Sequence, residues 1–189
     1  MVFVEKTCYN QSKAPKYSHF RKKSMDIDQT QDCCFTHEEN WFRYRVGAII
    51  LEENSVLVAT NDACDFYYSI GGGVHLGETA EEAVRREVLE ETGLPYEIDR
   101  LAFVHENFFE GEGSIAGLHC HELSFYFLMK PMGKREITKR GQCIDGEERA
   151  CWLPVDRLSG YTVYPLFYAD WLPYLPKETV HIVTDRRRK

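Results

Sequence analysis

Three carboxylates and a run of glycines stand close together in this sequence. Glu87, Glu90 and Glu91 are spaced i, i+3 and i+4, and they follow the glycines Gly71–Gly73. On a helix, residues three and four apart are neighbours, so the three acids would form one patch of oxygen ligands. Such a patch suits a hard divalent cation like Mg²⁺. A glycine loop that runs into a helix can present amides or carbonyls to a phosphate or a metal. The combination points to a phosphoanhydride bridged by metal ions. The charges alone have a plainer reading, a salt-bridge network in which Arg86 pairs with Glu82 or Glu90 four residues away.

The element that must carry these acids is well delimited. Thr79-x-x-Glu82 forms a capping box at its start, Gly93 supplies the stop, and Pro95 bars continuation. Spaced at about 100° per residue, Ala80, Ala83, Val84 and Val88 define an inward stripe. Glu87 and Glu91 fall inside that stripe, and Glu90 lies on its edge. Burying unpaired carboxylates is costly, and bound cations would remove the cost.

The rest of the chain must hold that helix. Its 189 residues suffice for one domain with a sizeable core. A formal net charge of -7 argues against nonspecific binding to polyanions, so nucleic acid is not an expected partner. The charge is uneven, with a net +5 over residues 1–24. Residues 1–40 show no hydrophobic period and read as a flexible arm. Strands are expected over Phe42–Leu51, Val56–Thr60, Phe66–Ile70, Tyr96–Phe109 and His121–Lys130. A C-terminal helix is expected over Tyr164–Leu175, and an edge strand over His181–Thr184. Mixed sheet with few helices argues α+β or an α/β/α sandwich.

Seven cysteines, an odd number without a C-x-x-C pair, do not form a secreted framework. No apolar run is long enough to span a bilayer, so no membrane partner is expected and a reduced, cytoplasmic, soluble protein is. His119-Cys120-His121 resembles a metal cluster, but adjacent strand residues point to opposite faces and cannot easily share one ion.

Gly72, five residues, Glu78, seven residues, then Arg86-Glu87-Val88-Leu89-Glu90-Glu91-Thr92-Gly93-Leu94 resemble the complete Nudix box. The resemblance implies an α/β (α+β) Nudix-type α/β/α sandwich with a mixed β-sheet. It makes residues 41–189 a Nudix domain with a C-terminal helical extension. It also implies Mg²⁺-dependent hydrolysis, with Mn²⁺ as a substitute, of a diphosphate bond in a nucleoside diphosphate linked to another group. Carried over by position, Glu90 and Glu91 are the principal metal ligands, and Glu87 is a further ligand or the base that activates water. Arg86 would orient Glu87, Glu78 would brace the loop, and a carbonyl of Gly71 or Gly72 would reach the metal. The catalytic set is thus Glu87, Arg86, Glu90 and Glu91.

Two places depart from the commonest family pattern. Ser69-Ile70 stand where Leu-Pro often precedes the glycines, and His75 stands where many members carry Glu. An assisting acid from outside the box is expected among Glu106, Glu122, Glu147 and Glu148. The substrate, a small nucleotide-type molecule, is expected near Tyr68, Phe108 and Glu148, with Phe66, Tyr67 and Phe109 as further aromatic candidates. The loop Glu110–His119 is the candidate lid. A homodimer is left open. The alternatives are a Nudix-fold ligand-sensing regulator without catalysis, which the intact box disfavours, and an isoprenoid diphosphate isomerase, for which Cys64 is the available cysteine.

Overall fold

The core is a layer of strands whose alternate residues face two different sets of helical turns. The structure, a computed structural model, describes residues 30–61, 65–137, 141–143 and 146–187, and the side chains of residues 141–148 lie outside that description. The chain forms β1 (Cys34–His37), β2 (Asn40–Ile49), β3 (Leu51–Glu52), β4 (Ser55–Asn61) and β5 (Tyr67–Ser69) before the box helix α1 (Ala80–Thr92). After it come β6 (Ile98–Glu110), β7 (His119–Met129), β8 (Gly141–Cys143), β9 (Gly146–Pro154), β10 (Val163–Tyr164), α2 (Tyr168–Trp171) and β11 (Val180–Asp185).

One sheet runs β1-β2-β7-β6-β11, and the other runs β10-β5-β4-β9-β8 with β3 added beside β4. Both are mixed: β2 lies parallel to β7 and β11 parallel to β6, whereas β6 and β7 are antiparallel. The second sheet pairs β10 with β5 in parallel and β4 with β9 antiparallel. β2 and β4 show how two cores arise from one layer. Val46, Ala48, Leu57 and Ala59 join Ala83, Val84 and Val88 of α1 in one cluster. Ile49, Val56 and Val58 join Phe103, Tyr126 and Tyr168 in the other. Period-two alternation therefore places one helix on each side, which is the expected α/β/α sandwich in α+β form.

Two expectations need correction. Cys34–His37, read as part of an arm, instead pairs antiparallel with β2, and Asp32 bridges to His75. Cys33 N–H donates to Val74 O at 2.7 Å and Leu76 N–H to Gln31 O at 2.8 Å, so residues 31–37 belong to the sheet edge beside the glycine loop. The segment 1–29 lies outside the described residues. The C-terminal helix is also much shorter than expected. Val163 and Tyr164 are taken by pairing with β5, α2 spans only Tyr168–Trp171, and a 3-10 turn follows at Leu172–Tyr174. Pro165 and Pro173 lack the amide hydrogen that a continuous helix needs.

Candidate active site

Helix α1 begins and ends where its sequence dictates. Glu82 N–H donates to Thr79 Oγ1 at 3.2 Å, and Thr79 N–H donates to Glu82 Oε2 at 2.9 Å, completing the capping box. Gly93 ends the helix in the left-handed conformation, with its N–H on Leu89 O at 3.0 Å. Because Glu82 is committed to the cap, it does not pair with Arg86.

The guanidinium of Arg86 instead reaches back over the loop. Its Nε and Nη2 donate to Oε1 and Oε2 of Glu78, both at 3.0 Å, a two-pronged pair. Nη2 also donates to Gly73 O at 3.0 Å, while Nη1 donates to Glu87 Oε1 at 2.6 Å and to Glu90 Oε2 at 3.4 Å. Glu78 in turn accepts from the His75 amide at 3.1 Å, which closes the loop on itself. These bonds hold the Glu78 carboxyl below the usual carboxylate range, chiefly through Arg86, and they raise Arg86. Glu87 moves the other way: burial raises it, and the Arg86 hydrogen bond only partly opposes that.

The acid patch is graded as the helical stripe requires. The Glu87 side chain is 14% exposed and that of Glu90 is 56% exposed, while Glu91 is half-buried. Glu91 Oε1 accepts from the Gly71 amide at 2.9 Å. Glu87 lies directly against Gly72, where any side chain would collide with its carboxylate. Gly71 sits at φ 134°, and a side chain there would run into the backbone carbonyl of Val46.

An all-oxygen set of Glu87, Glu90 and Glu91 beside glycine carbonyls matches what a hard divalent cation takes. Among the described residues, no three His, Cys, Asp or Glu side chains form a ready ion-holding cluster. Glu87 Oε1 is turned to Arg86 and Glu91 Oε1 to Gly71 N, but each carboxylate carries a second oxygen, so the donor set fits the ion by chemistry. Of the two candidate carbonyls, Gly72 O already accepts from Val46 N–H at 2.9 Å, whereas Gly71 O has only a long contact of 3.4 Å to Arg45 Nη2. The His119-Cys120-His121 run does not converge: His119 pairs with Glu110, Cys120 is buried, and His121 stacks on Phe108.

Arg45 is the residue that sequence reasoning missed. Its Nη1 lies 4.0 Å from Glu122 Oε2, and the guanidinium is mostly buried. Burial works against its charge, but Glu122, Tyr126 and Glu91 more than offset this and raise its pKa. An arginine directly before the apolar run Val46–Leu51 was the available signal. Arg45 also lines the inner end of a cleft with Tyr68, Asn107, Tyr164 and Arg186. The outer part, about 490 Å³, continues past Asn107 to Phe109. The loop residues Glu112 and Ile115 border that outer part, so the expected lid lies beside it.

The other expected site residues divide by strand face. Glu122 stands in the cleft beside Arg45, with Ser124 Oγ donating to it at 3.2 Å. Glu106 and Phe108 flank Asn107 in β6 and so point to the opposite face. There Glu106 bonds to His181 at 2.8 Å, and Phe108 lies between His121 and Arg187. The structure thus brings Tyr68 and Phe109 to the cleft and leaves Phe108 out of it. Glu148 occupies a strand position opposite Asn61, and its side chain, like that of Glu147, is outside the described residues, as is Cys64.

Gly71 tests the loop geometry directly. Gly71→Ala adds a backbone collision to the strain of positive φ, whereas Gly77→Ala at φ 85° meets open space. The strain alone costs about 1–3 kcal/mol. Urea denaturation should show Gly71→Ala to be the more destabilising of the two, and equal losses would contradict the packing of the loop against Val46.

The NUDIX domain profile matches residues 41–175. A MutT-like protein of Streptomyces ambofaciens is 31% identical over 115 residues, which cover 60% of this chain and 65% of that protein's length. Among solved structures, a mutator MutT protein from Bacillus halodurans superposes with a TM-score of 0.56 at 20% identity, over 74% of this chain and 89% of its own. A MutT protein from Methanosarcina mazei Go1 gives 0.52 at 19% identity, over 70% and 91%. The structural likenesses establish the fold, and the profile, which spans most of the chain and contains the loop and helix just described, establishes that this chain belongs to the NUDIX family.

Proposed function

We propose that this protein is a divalent-metal-dependent hydrolase of a diphosphate bond in a nucleoside diphosphate linked to another group. The observation that carries the reading is the gathering of Glu87, Glu90 and Glu91 on one face of α1, against the glycine loop. Mg²⁺ or Mn²⁺ held by these acids and the Gly71 carbonyl would supply charge neutralisation of the diphosphate and a more acidic water.

The chain's own residues have separable tasks in this reading. Arg86 fixes the Glu87 carboxylate through a 2.6 Å hydrogen bond and ties the same helix turn to the loop through Glu78 and Gly73. Glu87, raised by burial, is the group placed to accept a proton from an attacking water. Glu91 is oriented by the Gly71 amide, which keeps its position coupled to the loop that faces the phosphates. Catalysis then rests on positioning and charge stabilisation more than on covalent chemistry. The intact box acids and the MutT-like relative support a hydrolase over the ligand-sensing regulator. The isomerase reading has no support among the described residues, because Cys64 is outside them.

Two substitutions test these roles. Glu91→Gln keeps the shape and removes a ligand charge. It should lower Mg²⁺-dependent phosphate or nucleotide release by about 10²-fold or more with the melting temperature nearly unchanged. An unchanged rate would remove Glu91 from the site. Arg86→Lys keeps the charge and loses the fork. It should lower kcat at least about tenfold at saturating Mg²⁺, while a metal titration shows a much smaller change in affinity. An unaltered kcat would reduce Arg86 to a counter-charge.

A further inference from the structure

The matched NUDIX region ends at residue 175, yet the cleft is not complete there. Strand β11 lies beyond it and pairs parallel to β6 along the cleft floor. Thr184 Oγ1 is 2.9 Å from His105 Nε2, and Arg186 N–H donates to Phe108 O at 2.8 Å, so the strand is pinned at both the side-chain and the backbone level. His105 is pushed down to about 4 by burial, so it makes that bond as a neutral ring at ordinary pH. Arg186, directly after the last residue of β11, lines both the inner and the outer part of the cleft.

Arg186 and Asn107 both line the inner and the outer part of the cleft, with complementary needs. Among the described residues, no carboxylate lies within 4.0 Å of the Arg186 guanidinium, whereas Arg45 is opposed by Glu122 and the rim acid Glu110 is engaged by His119. Asn107 Oδ1 is buried without a hydrogen-bond partner among the described residues. A buried acceptor left unpaired is costly, and a ligand hydroxyl or amine would satisfy it. The rings of Phe109, in the outer part, and of Tyr164, in both parts, offer flat apolar surface.

We propose that β11 completes the substrate cleft and that Arg186 binds a phosphate of a nucleotide substrate, with Asn107 accepting from a hydroxyl or amine of the attached nucleoside. The cleft lining is consistent with this: Arg45 and Glu122 in the inner part, Arg186, Asn107 and Tyr164 shared by both parts, and Phe109 in the outer part. The proposal rests on the hydrolase reading for its direction, but it can fail separately.

Equilibrium dialysis of the full chain with ADP, GDP and UDP in Mg²⁺ tests it, beside the matching nucleosides. At least one diphosphate should bind the wild type, Arg186→Gln should weaken it about tenfold or more, and Arg186→Lys should recover part of the loss. Binding of the matching nucleoside should be the same in both. The Arg186–Phe108 bond uses the backbone, so the variants should melt like the wild type, which a thermal scan checks. Equal diphosphate binding by wild type and Arg186→Gln, equal loss of nucleoside and diphosphate, or no binding of any diphosphate to the wild type would each overturn the assignment. Hydrolysis of linked nucleoside diphosphates by the wild type is scored apart. Arg186-dependent binding without hydrolysis would sink the hydrolase reading alone, and hydrolysis indifferent to Arg186 would sink this one alone.

Discussion

The guanidinium of Arg86 is the constraint on which the site depends. Carboxylates crowded on one helix turn repel one another, and a glycine loop has no side chains with which to hold its own shape. One rigid fork answers both problems. It grips Glu78 with two hydrogen bonds, Gly73 O with a third and Glu87 with a fourth, and it stands within reach of Glu90. Three of those partners belong to different places in the chain, so a single side chain sets the distance between loop and helix. A lysine would supply the charge without the planar fork that these simultaneous bonds require.

Everything around that fork keeps it in place. The capping box starts α1 at a defined residue, which fixes the angular position of Glu87, Glu90 and Glu91 relative to the apolar stripe of Ala83, Val84 and Val88. The glycine loop is clamped on its other side by β2, through Val46 N–H on Gly72 O and Val74 N–H on Tyr44 O at 3.1 Å. The edge segment around Asp32 and Cys33 adds a second row of backbone bonds to Val74 and Leu76. Arg45 then joins the loop to the cleft by standing between Gly71 O and Glu122. The fold thus delivers a rigid inner end and leaves the outer end to a loop and the C-terminal strand.

What was legible in the sequence is what is local. The helix limits, the inward position of Glu87 and Glu91 and the marginal position of Glu90 all follow from spacing within one element, and the structure places them accordingly. The failures come from pairing. Phe108 and Phe109 are indistinguishable as sequence, but one strand residue's difference puts them on opposite faces, and only the register with His121 and Cys120 decides which faces the cleft. The edge strand Cys34–His37 is short and polar, and its bridge from Asp32 to His75 spans more than forty positions without a local signature. Arg186 reaches the cleft because β11 lies beside β6, a neighbourhood set by topology alone. The C-terminal helix is shorter than its apolar spacing suggests because Tyr164 pairs with β5, which no local pattern announces, and because Pro165 follows it directly.

A double-mutant cycle in urea between Arg86→Ala and Glu78→Ala measures the central claim without needing any substrate. The pair is two-pronged and largely shielded, at 23% and 16% side-chain exposure. Charge-assisted bonds of this kind contribute about 1.5–3 kcal/mol, well above the ~0–1 kcal/mol of exposed pairs. A coupling energy of about 1.5 kcal/mol or more is expected. Additivity of the two losses to within about 0.5 kcal/mol would contradict the account, because Arg86 and Glu78 would then not be holding the loop to the helix as one unit.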